Sequence, residues 1–117
     1  MPTRRDAGMQ AEDLALAHLA SRGLVLLARN FRCRMGEIDL VMRDGQTLVF
    51  VEVRLRSRGS FVSAAESVDV RKQRRLVTAA RFYLAGRPES PCRFDCVLLD
   101  RASPDAIEWI KSAFDAY

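Results

Sequence analysis

Lysine is nearly missing from this sequence. Lys72 and Lys111 are the only two among 19 basic residues in a chain of 117. A bias to arginine suits phosphate recognition, and genome base composition produces the same bias. Histidine is represented only by His18 and cysteine only by Cys33, Cys92 and Cys96. An odd cysteine count argues against a disulfide framework. On one face of a strand Cys92 and Cys96 would lie roughly 13 Å apart, at ~3.3 Å per residue. That is too far to share one zinc, so a structural zinc site is not expected and buried free thiols are. No apolar run approaches the ~20 residues of a membrane span. The opening MPTRRDAG is charged but has no apolar core after it, so it does not read as a secretory signal. No membrane partner is expected, and the cytoplasm is the expected compartment. Internal repeats and linkers are also missing. So are a helix-turn-helix, a zinc finger and an RNA-recognition aromatic motif, which leaves no visible device for reading base sequence.

What is present is a folded chain with uneven charge. Hydrophobic residues make up 49%, enough for a globular core rather than disorder. The length favours a single domain over 1–117. The net charge is +4 and the pI about 9.4. From Asp95 onward the chain carries −3, which leaves +7 on the body before it. A basic body suits a polyanionic partner.

The most informative stretch is 36–58, GEIDLVMRDGQTLVFVEVRLRSR. It reads as a β-hairpin turning at Asp44-Gly45, with a type I′ turn expected. Pairing Arg43 with Gln46 would set Asp39 opposite Phe50 and Glu37 opposite Glu52. Alternation then puts Glu37, Asp39, Glu52 and Arg54 on one face. Ile38, Leu40 and Met42 take the other face, with Val49, Val51, Val53 and Leu55. Asp39 and Glu52 would be diagonal neighbours, about 7–8 Å apart at Cβ. Like charges opposed on a sheet destabilise it, so a cation must compensate. That cation is either a local arginine on a solvated face or a bound ion; oxygen ligands of this kind suit Mg²⁺.

Around the hairpin, 6–22 reads as a helix with Asp6 as N-cap and Gly23 as the residue past its end. Leu16 and Leu19 form its inward stripe, flanked by Ala15 and Ala20. Glu12 lies on that stripe, either favoured by the helix dipole or reaching toward the acidic face. LVLLARNF suits a first strand, followed by Arg29, Arg32 and Arg34 as phosphate contacts or a solvated strand end. The stretch 57–67 reads as a loop, with Phe61 as a lid anchor or plug. A second helix is expected over 68–84, with Val70, Val77, Ala80 and Leu84 inward and Gln73 between them. Its opening, Arg71, Lys72, Gln73, Arg74 and Arg75, opposes the helix dipole. That cost points to an anionic partner or to screened exposure. A strand is expected over 91–99, a turn over 102–105, and a strand or short helix over 107–114. The order implies a mixed sheet with helices packed on it, an α/β fold.

Glu12, then Gly36-Glu37-Ile38-Asp39-Leu40, Val51-Glu52-Val53-Arg54, Lys72-Gln73, Cys92-Arg93-Phe94-Asp95 and a closing 108–114, EWIKSAF, together resemble the YraN family of bacterial proteins. That family is similar to archaeal Holliday-junction resolvases of the PD-(D/E)xK nuclease superfamily. The resemblance implies a restriction-endonuclease-like core, α-β-β-β-α-β, with a central mixed sheet flanked by helices. It implies an Mg²⁺ or Mn²⁺ site in which Asp39 matches the motif aspartate, Glu52 the acid of the E-x-K element and Glu12 the acid of the first helix. Gln73 matches a helix residue near the metal. Arg54 stands where the superfamily has lysine. Arginine stays charged, so it cannot act as a base, but it can hold a phosphate oxygen and stabilise transition-state charge. Lys72 would substitute if the second helix lies close.

The reading that follows is a metal-dependent endonuclease acting on nucleic acid, with DNA, branched DNA included, as the favoured polymer. Asp39, Glu52 and the Val53 carbonyl would bind the ion, with Glu12 acting through water. Arg54 would grip the phosphate, while Arg56, Arg58, Arg71, Lys72, Gln73, Arg74 and Arg75 track the backbone. Junction substrates would require a homodimer. The alternative is a nucleic-acid-binding module of the same fold that has lost cleavage, with Arg54 neutralising the acids. A plain interaction protein would fit the acidic tail but explains neither the acid face nor the basic helix start.

Overall fold

The computed structural model describes residues 4–56, 68–100 and 106–115; the side chains of residues 4–7 and 56 are not among those described. The expected loop over 57–67 with Phe61, the turn over 102–105, Arg58 and the Arg56 side chain therefore lie outside the described residues.

The chain runs α1 (Arg4–Ser21), β1 (Val25–Cys33), β2 (Gly36–Asp44), β3 (Thr47–Arg56), α2 (Val70–Leu84), β4 (Cys92–Asp100) and β5 (Ile107–Phe114). The strands form one five-stranded sheet in chain order. β3 and β4 are parallel, joined through α2, and the other neighbours are antiparallel. This is the mixed sheet with packed helices that the sequence implies, and it fits a restriction-endonuclease-like core. The undecided closing stretch is a strand, β5. Among the described residues no helix is long and apolar enough to cross a membrane.

α1 starts at Arg4, so Asp6 lies inside the helix rather than capping it. Its end is as expected. Gly23 has φ +93, its N–H donates to the Ala20 carbonyl, and the Leu24 N–H donates to Leu19. That is the Schellman pattern. The inward stripe is centred on Ala11, Ala15 and Leu19, while Leu16 is half-buried and Ala20 exposed. The two alanines let the helix lie close on Leu40, Met42, Val49, Val51, Val97 and Leu99 of one sheet face.

α2 covers the other face, against Ile38, Val41, Phe50, Cys96 and Leu98. Asp69 caps it, its Oδ1 accepting from the Lys72 N–H at 2.8 Å. Its buried residues are Gln73, Leu76, Val77, Ala79 and Ala80. Val70, expected inward, is 51% exposed, because it is the first helical residue and precedes the turn that meets the sheet. Of the thiols only Cys96 is buried; Cys33 is half-buried and Cys92 exposed.

The hairpin pairs Asp44 with Thr47, so Gly45 and Gln46 are its central residues. Gly45 has φ +61 and Gln46 does not have positive φ, which matches a II′ turn with glycine first, not I′. The register is two positions away from the one expected: Arg43 faces Leu48 and Leu40 faces Val51. Glu37 faces Arg32 on β1 instead of Glu52. An even shift leaves every side chain on its face. One expected face is nonetheless wrong. Ile38 packs in the α2-side core while Leu40 and Met42 pack against α1, so alternation breaks between Ile38 and Asp39.

Candidate functional site

That break is where the site begins. Backbone pairing between β2 and β3 is recorded as far as Leu40 and Val51. One step beyond, the Asp39 carboxylate takes the place of a strand carbonyl: its Oδ2 accepts from the Val53 N–H at 2.8 Å. Continuing the same register by one position sets Asp39 opposite Glu52. Glu52 lies on β3 beside Cys96 of β4 and is only 3% exposed. Its Oε1 faces Lys72 Nζ at 3.6 Å and Arg54 Nη1 at 3.8 Å. Its Oε2 is buried and has no hydrogen-bond partner among the described residues.

Burial dominates the electrostatics of this pair. Loss of water pushes Asp39 up to about 6; the Val53 N–H opposes this, and the charge of Glu12 adds to it. Glu52 is pushed up to about 8, first by burial and then by the neighbouring Asp39 charge. Lys72 and Arg54 act in the other direction, but at their distances they do not offset the lost hydration. Both shifts run toward the protonated form, the direction burial without a bound cation imposes. Cys96, packed below, is pushed up to about 12 by burial and by Glu52, which makes it an inert thiol.

Glycine brings the helix to this pair. A Cβ on Gly36 would stand 3.0 Å from the Arg75 carbonyl oxygen, so the start of β2 lies directly against α2. The Asp69 cap fixes the first turn of that helix, and Lys72 projects from it toward Glu52. Sequence reasoning reached Lys72 as a backbone-tracking residue and as a conditional substitute for the motif lysine, not as a partner of Glu52. Nothing local signals a contact that depends on packing between the two elements.

The other expected site residues divide. Glu12 approaches closely enough to raise Asp39, yet Arg29 engages it at 3.4 Å while holding Asp13 at 2.7 Å. Arg29 is therefore committed to α1. Among the described residues no three His, Cys, Asp or Glu side chains gather closely enough to hold an ion; Asp39 and Glu52 meet, and Glu12, near enough to be felt by Asp39, is engaged by Arg29. Gln73 is 8% exposed, with its Nε2 donating to the Val68 carbonyl at 2.8 Å. That inward position removes it from any backbone-tracking surface. Arg71, Arg74 and Arg75 are exposed. Arg32 pairs with Glu37 at 2.8 Å.

The donor set suits a hard divalent cation. Two adjacent carboxylates, at Asp39 and Glu52, are oxygen ligands of the kind such an ion takes. The partnerless Glu52 Oε2 is a buried acceptor that a cation would satisfy. The raised acids are those that a divalent charge would hold ionised.

The sequence comparisons converge on one family. The model described as uncharacterised protein family UPF0102 matches residues 11–99, which include both carboxylates, both flanking cations and Gly36. A UPF0102 protein of Nitrosospira multiformis is 56% identical over 97% of this chain and 96% of its own length. One from Cupriavidus taiwanensis is 58% identical over 98% and 87%, and one from Pseudomonas aeruginosa 50% identical over 96% and 94%. With a match of that extent, the chain belongs to UPF0102, the YraN family.

Proposed function

We propose that this protein is an Mg²⁺- or Mn²⁺-dependent nuclease hydrolysing phosphodiester bonds in nucleic acid, with DNA as the favoured substrate. The observation that carries the reading is Glu52: a buried carboxylate with one oxygen lacking a hydrogen bond, beside Asp39 and 3.6 Å from the Lys72 ammonium. Asp39, Glu52 and the Val53 carbonyl would hold the ion. When bound, it supplies an acidified water and charge neutralisation at the phosphoryl centre.

The remaining work falls to the chain's own side chains. Arg54 keeps its charge, and it grips a non-bridging oxygen of the scissile phosphate and stabilises charge there. Lys72 orients the attacking water through the N–H donors of its flexible stem. The role of the single motif lysine is thus divided between Arg54 on β3 and Lys72 on α2. The Val53 N–H keeps the Asp39 carboxylate oriented. Arg71, Arg74 and Arg75 present charge to the backbone without specifying sequence.

A second reading is favoured by one specific observation. Arg54 and Lys72 both flank Glu52 within 4 Å, so the acids have cations available without a metal. A nucleic-acid-binding module lacking cleavage would use them in that way. Cleavage of branched and linear DNA in Mn²⁺, wild type against Glu52→Ala, tests the first reading. A loss of two or more orders of magnitude in the variant is expected. Activity unchanged by Glu52→Ala would overturn it. Mg²⁺ titration by calorimetry separates the two readings: the nuclease takes up the ion through Glu52 and the module does not.

A further inference from the structure

Beyond the acid pair, the basic surface of α2 is half of a groove. The tip of the β1–β2 turn, Arg34-Met35, stands beside the helix, held there by the approach of Gly36 to Arg75. Between them lies a recess of about 540 Å³ whose walls include Arg32, Arg34, Met35, Lys72 and Arg75. A second recess of about 370 Å³ continues along the helix past Arg71 and Arg74. Met35 and Arg75 line both.

Three features identify the occupant. Arg34, Arg71, Arg74 and Arg75 are exposed, and no ion pair is recorded for them among the described residues, whereas Arg29, Arg32 and Arg93 are all paired with acids. Lys72 links the groove to the acid pair, since it both lines the recess and faces Glu52. An apolar side chain, Met35, stands 52% exposed at its midpoint. Methionine is polarizable and packs against π-faces, and apolar side chains of this type wedge against bases.

We infer that this groove binds a single nucleic-acid strand, with Arg34 and Arg75 on its phosphates and Met35 against an unpaired base. The inference deepens the nuclease reading and rests on it for direction: the strand runs from the groove past Lys72 to Glu52. It assigns a substrate class, nucleic acid with an unpaired segment next to the scissile bond. It also gives a function to Arg34 and Met35, which lie outside the acid motif.

The test is binding in EDTA, where cleavage cannot contribute. Anisotropy of a labelled oligothymidylate and of a duplex of equal length would be followed between about 50 and 200 mM salt. The single strand is expected to bind more tightly. Combining Arg34→Ser with Arg75→Ser should weaken it at least about tenfold and reduce the salt slope by about 1.4, at ~0.7 per lost phosphate contact on a single strand. Met35→Ser should weaken binding with the slope unchanged. Arg43→Ser, an exposed charge on the β2–β3 hairpin, should change little. Equal or tighter duplex binding would overturn the groove, as would groove variants that behave like Arg43→Ser; either leaves the Glu52 cleavage test standing. Groove variants behaving as expected, with cleavage indifferent to Glu52, would sink the nuclease reading alone. A wild type that binds neither probe ends the groove and leaves the Glu52 cleavage test standing.

Discussion

Lys72 Nζ stands 3.6 Å from Glu52 Oε1, although one residue comes from the first turn of α2 and the other from the middle of β3. Arg54, two positions from Glu52 on the same strand, reaches the same oxygen at 3.8 Å. The two cations are not equivalent, since an ammonium exchanges protons and a guanidinium does not.

A division of labour follows that steady-state kinetics can read. Lys72→Ala is expected to lower kcat by about 10²–10³-fold, the usual range for losing one preorganised polar group at the reacting centre. Lys72→Arg should restore charge but not rate. Arg54→Ala should act more on KM, as loss of phosphate binding does. Full activity in Lys72→Arg would show that charge alone suffices.

The raised carboxyls make metal-free stability depend on pH in a definite direction. Both acids hold protons more tightly folded than unfolded. Their favourable contribution is therefore fully present below about pH 4 and is lost as pH rises through about 6 and then 8. Urea unfolding in EDTA should show stability falling over that window. Glu52→Gln, which cannot ionise, should flatten the slope and be more stable than wild type at pH 8.5 by about 1–3 kcal/mol. A steeper fall in the variant would contradict the burial argument.

A divalent ion held by this pair would reverse that slope. It needs both carboxylates deprotonated, so Mg²⁺ should raise the melting temperature more at pH 8 than at pH 5. At a hundredfold excess over Kd the stabilisation is about 2.7 kcal/mol. Glu52→Gln should abolish the response. Thermal melts with and without Mg²⁺ at the two pH values decide it, and a wild type indifferent to the ion at both favours the non-cleaving module.

How much of this was legible in the sequence depends on range. Gly45 marks the hairpin and Gly23 the end of α1, because positive φ is a local demand. Asp39 and Glu52 come together despite a two-residue difference in pairing, because period two is blind to even shifts. Ile38 was misplaced because the Asp39 carboxylate substitutes for a ladder carbonyl, a tertiary event that no alternation rule contains. Glu12 follows the α1 stripe as read, but its commitment to Arg29 requires knowing that β1 lies beneath it. The approach of Gly36 to α2 and the recess beside Met35 depend on two elements packing together, so neither leaves a local trace.

Gly36 offers a test of that packing. Adding a methyl group sets a Cβ 3.0 Å from the Arg75 carbonyl, so α2 or the turn must give by a few tenths of an ångström. Gly36→Ala should cost about 1–3 kcal/mol, as overpacking does. It should also draw Lys72 from Glu52 and lower kcat by more than the small loss in folded fraction explains. Normal cleavage in a destabilised variant would show that the approach serves only the fold.

Two buried acids in this protein should respond to neutralisation with opposite signs. Glu52 has one oxygen without a hydrogen bond, so removing its charge relieves burial. Asp95, 0% exposed, sits where the β4–β5 register shifts and is fully engaged. It accepts from Arg93 Nε at 3.1 Å, Trp109 Nε1 at 3.0 Å and the Ser112 N–H at 3.0 Å. That last bond helps to hold Ser112 at φ +51, a conformation that costs a non-glycine residue. In Asp95→Asn the new amide donors would confront existing donors, leaving buried groups unpaired. A loss of about 2–4 kcal/mol is expected, against the gain in Glu52→Gln at pH 8.5. Urea titrations of the two variants in one metal-free buffer make the comparison. Destabilisation of both by similar amounts would mean that Glu52 is satisfied in the apo protein, and the case for a cation there would fall with it.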